Sequence, residues 1–485
     1  MFTKKLFKGL VTIVTTTIFS MSTIQSAYAA PGALATAPLF LSTIVEPNVF
    51  FTLDDSGSMG WTTLVEDGVG GYATSQGTPL DNCGTRMGYW HPTWSGTPFA
   101  NTVYPSETGN SNWDDTWIFR THHGNSLYYN PAKTYKPWPG SDASGNPLYV
   151  DAVVTKVLQD PDDPTGNWVD ITQALDYGAY NDAIYLPSYY IWNDDGDGVL
   201  ETTDSHTLVK ITNAASPEMQ NFANWFQYHR SRMNTTKAAI GQVINNTDAT
   251  RMGLDVFNNG IQKYSKSMSN NANKLALLQD FYGTVEETWT PARSSLDRVG
   301  KHFQSTNANA PILPANQGGE CQQNFNILLT DGFWNRSFSG VGDRDSDGGS
   351  GTNDTIFDGN QAQSNDGGNY KDHPTKNYSN TLADIAMKYY EEDLRTMADK
   401  VPTQAGVDEA DHQHLVTYAV AFGLAGTLDP LTVDPLADDG DPLTIDFEWP
   451  EPVSDTATTV DDLWHAAYNG RGKFLSARDP DTLAT

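Results

Sequence analysis

The stretch Asn48-Val-Phe-Phe-Thr-Leu53-Asp54-Asp55-Ser56-Gly57-Ser58-Met59 decides how this chain is read. Its first six residues, mostly aromatic and β-branched, have strand character. The turn that follows carries Asp54, Ser56 and Ser58 in a D-x-S-x-S spacing. A loop leaving a strand end can aim one carboxylate and two hydroxyls at a single point, which suits a hard divalent cation. Working outward, Phe325-Asn-Ile-Leu-Leu-Thr330 reads as a second strand that also ends on a carboxylate, Asp331-Gly332. Between the two, Thr290-Pro291-Ala292 opens a helix and offers a hydroxyl from a third loop.

Around these pieces the apolar pattern alternates. Strands are expected at Arg251 to Phe257, His414 to Phe422 and Lys473 to Leu475. Met219, Phe222, Phe226, His229, Met233, Lys237 and Ile240 fall at three- and four-residue steps and predict one helix over 217–244. Further helices are expected over 273–281, 291–303, 379–398 and 461–468. The alternation implies an α/β fold with a mostly parallel sheet flanked by helices, and places any site at the carboxyl ends of the strands. Two loop-rich insertions interrupt it, at about 60–215 and 335–377. Aromatic side chains in the first are expected to staple it together, with a partner-gripping role as the alternative.

Residues 1–29 have a basic start, a short apolar middle and a small-residue end, and read as a signal peptide. Residues 30–45 read as a flexible leader and 46–485 as one domain with its insertions. No other apolar run is long enough to span a bilayer, so no transmembrane segment is expected in the exported chain. The sequence has 29 Lys and Arg against 59 Asp and Glu, a net charge of −30. A surface that acidic repels nucleic acid and anionic membrane and favours divalent cations. Cys83 and Cys321 can pair within the chain only with each other, and the sequence leaves open whether they do.

Two other acidic loops have calcium-loop spacing. Asn193, Asp195, Asp197, the Val199 carbonyl and Asp204 nearly match an EF-hand loop with Gly198 at its sixth position; an unmetallated acidic turn is the alternative. Asp343, Asp345, Asp347 and Asp354 repeat the spacing within a Gly- and Ser-rich run. Catalytic patterns are poor. His122-His123 and His412-Gln-His414 lack metalloprotease spacing and are expected to be solvated, and no nucleophile elbow or phosphate-cradling loop is present, so an enzyme is not expected.

The order D-x-S-x-S, Thr, Asp resembles the metal-ion-dependent adhesion site (MIDAS) of von Willebrand factor A (vWA) domains. That resemblance implies a vWA-like, Rossmann-type sheet in which Asp54, Ser56, Ser58, Thr290 and Asp331 hold one Mg2+ or Mn2+, with a partner's carboxylate completing the coordination. The chain departs from the usual pattern at Trp289, where Gly precedes the Thr in that family. Six longer phrases are more specific: LDDSGSM at 53–59, YYNPAKTYKPW at 128–138, NFANWFQYHRSRM at 221–233, CQQNFNILLTDGFWN at 321–335, NTLADIAMKYYEEDLR at 380–395 and AAYNGRGKFLSARDPDTL at 466–483. In order they resemble the N-terminal region of PilY-type type IV pilus biogenesis and tip-associated adhesins. The resemblance implies export to the periplasm, pilus tip or outer surface, minor pilins as partners, and a surface or host ligand bearing a carboxylate. It also implies support of pilus assembly, attachment and twitching motility, with a general extracellular vWA ligand-binding protein as the alternative. Fuller members continue into a calcium-carrying β-propeller, so the chain reads as a fragment or truncated product.

Overall fold

The computed structural model describes residues 45–62, 64, 120–166, 168–172, 175–176, 183–184, 187–198, 200, 204–345, 372, 376, 378–404, 407–430, 432–433, 448–477 and 483. The expected signal peptide, nearly all of the leader, Cys83, Val199, Asp347 and Asp354 lie outside them.

The central sheet has six strands: β1 (Asn48–Leu53), β8 (Arg251–Val256), β9 (Gly260–Ser267), β10 (Asn324–Thr330), β11 (Val416–Phe422) and β12 (Arg471–Ala477). Their spatial order is β12-β11-β10-β1-β8-β9. All neighbours pair in parallel except β8 with β9. With helices on both faces this is the vWA-like α/β sheet expected from the alternation.

The helices are α1 (Pro217–Tyr228), α2 (Arg232–Asn246), α3 (Asn271–Tyr282), α4 (Ala292–Gln304), α5 (Leu382–Glu391) and α6 (Thr458–Asn469). One apolar cluster joins Phe50, Leu328 and Ala419 of the sheet to α4, α5 and α6. A second joins Phe51, Leu53, Leu254, Leu329 and Val420 to α2 and α3. The adjacent pair Phe50 and Phe51 therefore faces opposite layers, as the two-residue period of a strand requires. Fully buried Phe50 packs edge-on against Phe303 at 5.8 Å, and such burial contributes about 1.5–3 kcal/mol.

Polar side chains cross the middle of the sheet in pairs. Asn48 Nδ2 donates to Asn324 Oδ1 at 2.9 Å, and Thr52 Oγ1 donates to Asn326 Oδ1 at 2.6 Å. Asn48 stands directly opposite Asn324, while Thr52 reaches diagonally to Asn326, which stands opposite Phe50; Leu53 pairs with Leu329, so both strands end at the same edge.

Three expectations change. The 217–244 helix is two helices broken at His229–Ser231, because Ser231 caps a new start by accepting Asn234 N–H at 3.1 Å. Strand β9 was not expected; Asn259-Gly260, with Gly260 at φ 77°, turns β8 back on itself as an antiparallel edge. Helix α5 ends at Glu391, well short of 398, although its start is fixed by a capping box between Thr381 and Asp384.

The described part of the first insertion carries the short strands β2 (Val157–Leu158), β3 (Trp168–Val169), β4 (Leu175–Asp176) and β5 (Ala183–Ile184), and the longer β6 (Ser188–Asn193) and β7 (Ser205–Lys210). They pair as three antiparallel two-stranded units, β2-β3, β4-β5 and β6-β7. A third cluster packs Tyr129, Val157, Ile171 and Tyr189 onto Phe222, Trp225 and Phe226 of α1. Its aromatics are stapling a loop-rich region together, as expected. Among the described residues no helix is long and apolar enough to cross a membrane.

Candidate metal centre

Strands β1 and β10 are parallel neighbours, so the loops after Leu53 and Thr330 leave the sheet side by side. Asp54 N–H still donates to Leu329 O at 2.9 Å, which holds the start of the acidic loop against β10. Asp54 Oδ1 accepts the Ser56 N–H at 2.7 Å, closing a tight turn, and Oδ2 accepts the Thr330 hydroxyl at 2.5 Å. Ser56 Oγ lies 3.0 Å from Ser58 Oγ, and Ser58 Oγ donates to Asp331 Oδ1 at 2.9 Å. Asp54, Ser56 and Asp331 are buried, and Ser58 is half-buried.

Thr290 reaches the same point from the start of α4. A Cβ built on Gly332 would lie 3.2 Å from Ser58 Oγ, 3.4 Å from Thr290 Oγ1 and 3.6 Å from Ser56 Oγ. Three hydroxyls thus ring the bare Cα face of Gly332. The departure at Trp289 leaves Thr290 in place because Asn335 clamps it: Thr290 N–H donates to Asn335 Oδ1 at 2.9 Å, and Asn335 N–H to Thr290 O at 3.0 Å. Trp289 itself is 45 % exposed and carries the Arg336 guanidinium 3.7 Å from its ring centroid.

All five sequence-derived residues therefore converge. Asp55 does not join them; its carboxylate accepts from Asn258 and Asn259 and pins the β8–β9 turn. Burial pushes the Asp54 carboxyl up to about 7, with Asp331 adding to the rise. Burial also raises Asp331, opposed by Arg232. Two carboxyls and three hydroxyls make an all-oxygen set of the kind Mg2+ and Mn2+ prefer.

Arg232, the first residue of α2, was missed by the sequence reading. Its Nη1 lies 2.8 Å from Asp331 Oδ2 and donates to Asp331 O at 3.1 Å, with both side chains buried. It leaves Asp331 Oδ1 facing Ser58. The available signal was Ser231 as a cap, which starts a helix at Arg232 and turns that side chain toward the strand edge.

At the first calcium-type loop, Asp194, Asp195 and Asp197 come together at the exposed tip of the β6–β7 hairpin. Asp194, outside the EF-hand ligand positions, takes part by accepting Gly196 and Gly198 N–H, which lower its pKa. Asn193 Nδ2 instead donates to Thr207, and Asp204 accepts from Trp192 Nε1 at 2.8 Å. The hairpin setting replaces the helices that flank an EF-hand. At the second loop, Asp343 and Asp345 lie beside Asp384 of α5. Cys321 is half-buried at the end of a short 3-10 turn. His412 and His414 correct the expectation of solvation: both are buried, with His412 Nε2 2.9 Å from Tyr390 O and His414 Nε2 3.3 Å from Asp408 Oδ2.

No family model matches the chain. It is 28 % identical over 504 residues to the type IV pilus biogenesis factor PilY1 of Pseudomonas aeruginosa strain PAK, covering 95 % of this chain and 39 % of that protein. The PilY1 of strain UCBPP-PA14 is 27 % identical over 489 residues, covering 92 % of this chain and 38 % of its own length. A solved pilus adhesin, SpaC from Lactobacillus rhamnosus GG, is 12 % identical over 52 % of this chain and 26 % of its own, at a TM-score of 0.24, too low to bear on fold or function. The chain spans about two-fifths of the length of the curated relatives it matches. The chain thus combines a vWA-like sheet with similarity to type IV pilus biogenesis factors PilY1 along nearly its whole length.

Proposed function

We propose that this chain is the ligand-holding part of an exported type IV pilus biogenesis factor, and that it works by gripping a partner through a metal ion and not as an enzyme. The observation that carries this reading is the convergence of Asp54, Ser56, Ser58, Thr290 and Asp331 beside Gly332. A bound Mg2+ or Mn2+ would supply an open coordination position for a carboxylate of the partner. Asp54 and Asp331 would provide its charge, and the hydroxyls would fill neutral positions. Arg232 fixes Asp331 and keeps one of its oxygens from swinging inward. Trp289 and Arg336 form a cationic, aromatic rim that suits an acidic partner segment. Minor pilins at the pilus tip, or a carboxylate-bearing surface or host ligand, are the partners that fit. On this reading the acidic hairpin at Asp194 to Asp197 is a separate Ca2+ site.

The test combines Mg2+ and Mn2+ titration calorimetry on the purified chain with twitching and surface-pilus assays in a strain carrying the Asp54→Ala substitution. The expected result is loss of one ion site together with reduced attachment and twitching, at unchanged protein level. Equal ion binding by wild type and Asp54→Ala would reject the metal-dependent reading.

A further inference from the structure

A second buried cluster is built around His465 of α6. Asp345, Asp372 and His465 come from three separate segments and are 0 %, 1 % and 2 % exposed. His465 Nε2 is 3.7 Å from Asp345 Oδ2, and His465 Nδ1 is 3.7 Å from Asp372 Oδ1. One donor atom from each of the three can be chosen so that all lie within 4.8 Å of one another.

Those separations are too long for hydrogen bonds and wider than the contact of a charge-assisted pair, which closes to about 2.7–2.9 Å. They leave room between the side chains: donors held about 2.0–2.2 Å from one ion stand roughly 3–4 Å apart, and with a single ring nitrogen of His465 serving as its donor, one atom from each of the three residues already lies within 4.8 Å of the others. Independent of the clustering, Asp372 Oδ1 is buried with no hydrogen-bond partner and faces the His465 ring, while Oδ2 is held by the Tyr378 N–H at 2.8 Å. A carboxylate oxygen left unmatched in the interior costs free energy unless something cationic meets it. Burial pushes the Asp372 carboxyl up to about 8, and Asp384, Asp462 and Asp343 add to the rise.

The surroundings supply further donors and a lid. Asn469 Nδ2 donates to Asp345 Oδ2 at 3.0 Å, and Asn469 Oδ1 is buried without a partner. Turning that amide over exchanges its donor for an acceptor on the Asp345 side. Trp449 stacks on the His465 ring at 4.4 Å with an interplanar angle of 11°, and its N–H donates to Asp372 O at 2.9 Å. The Trp449 ring therefore fixes the imidazole plane and covers one of its faces.

We propose that Asp345, Asp372 and His465 form a buried site for one first-row divalent metal ion, of the Zn2+ or Mn2+ class, with Asn469 as a further oxygen donor. The imidazole sets the class, because Ca2+ and Mg2+ sites are built from oxygen alone. The ion would tie the loop carrying Asp345 and the segment at Asp372 to α6, a role in holding structure that does not depend on the adhesion reading.

The test is Zn2+ and Mn2+ titration calorimetry of the full chain after chelator treatment, with thermal melts in parallel, for wild type, Asp54→Ala, His465→Gln and Asp372→Asn. Beyond any ion that Asp54→Ala loses, wild type and Asp54→Ala are each expected to bind one further Zn2+ or Mn2+ with equal affinity and to melt higher with it. His465→Gln and Asp372→Asn should lose at least about a hundredfold in that affinity and show no rise in melting temperature. The proposal is overturned if neither ion binds wild type beyond the site that Asp54→Ala removes, or if His465→Gln and Asp372→Asn bind as wild type does. Should both of those variants fail to fold, wild type against Asp54→Ala still decides: an ion retained by Asp54→Ala that also raises its melting temperature supports the site, and no such ion overturns it.

Discussion

Replacing Arg232 by methionine keeps an aliphatic stem over the Trp61 ring, whose centroid lies 5.1 Å from the guanidinium carbon, and deletes the charge. What disappears is the 2.8 Å contact with Asp331 Oδ2 and the 3.1 Å hydrogen bond to Asp331 O, between side chains 1 % and 0 % exposed. Two unit charges at that range attract by roughly 5–6 kcal/mol in an effective dielectric of about 20. The guanidinium's own dehydration offsets part of that attraction, while the stranded carboxylate adds a penalty of its own. Breaking such a pair from one side therefore costs about 3–5 kcal/mol. Urea denaturation in EDTA, with wild type, Arg232→Met, Asp331→Asn and the double variant, measures it. Each single variant should lose stability on that scale, and the double should lose less than their sum, because neither charge is left alone. Millimolar Mg2+ should recover part of the Arg232→Met loss, since the ion meets the exposed negative charge of Asp331 and Asp54. A loss below about 1 kcal/mol in EDTA, the scale of a surface pair, would refute the reasoning, as would simple additivity.

Two further outcomes are expected. Asp54 has a folded-state pKa raised from 3.8 to about 7, so the folded chain holds that proton more tightly than the unfolded chain does. Without metal, its contribution to stability is full below pH 3.8 and falls as pH climbs toward 7. Asp54→Asn should flatten that slope in pH-dependent melts, and in wild type Mg2+ affinity should rise over the same interval as proton competition fades. At the β6–β7 hairpin, Asp195→Ala should abolish Ca2+ uptake by the acidic tip while leaving the melting temperature in EDTA within a degree or so of wild type, because Asp194, Asp195 and Asp197 are exposed. Ca2+ titration beside a melt checks both halves, and undiminished Ca2+ binding would remove the loop from consideration.

Much of the fold was legible because the signals were local. Strands β1 and β10 announce themselves by apolar runs that stop on Asp54 and Asp331, and parallel pairing then brings those two carboxyls to one edge. Thr290 was legible only through its order in the motif; its anchor, Asn335, sits 45 residues away and carries no local mark. Arg232 was hidden inside an apolar periodicity that runs straight through His229, so the break in the helix, and with it the partner of Asp331, went unread. Strand β9 was hidden by its exposure: as an edge it alternates half-buried and exposed positions, and only Asn259-Gly260 marks the turn. The cluster of Asp345, Asp372 and His465 has no sequence spacing at all, since its members meet only when α6 packs beside the loops after β10. Buried His412 and His414 show the same limit: a histidine's surroundings are set by tertiary packing, which its neighbours in sequence do not encode.

The side-chain pairs that cross β1 and β10 have a consequence at a distance. A hairpin's turn dictates how its two arms align, but parallel strands joined by long crossovers have no such gauge and must find alignment from their own contents. Asn48 against Asn324 and Thr52 against Asn326 supply it, because a slip of one residue would strand amides in a dry interior. That slip would also carry Asp331 about 3.3 Å along the sheet and turn it to the other side. The amide pair at the far end of the strands is thus a vernier for the acidic edge, and changing Asn324 would throw the five oxygens out of focus without touching any of them.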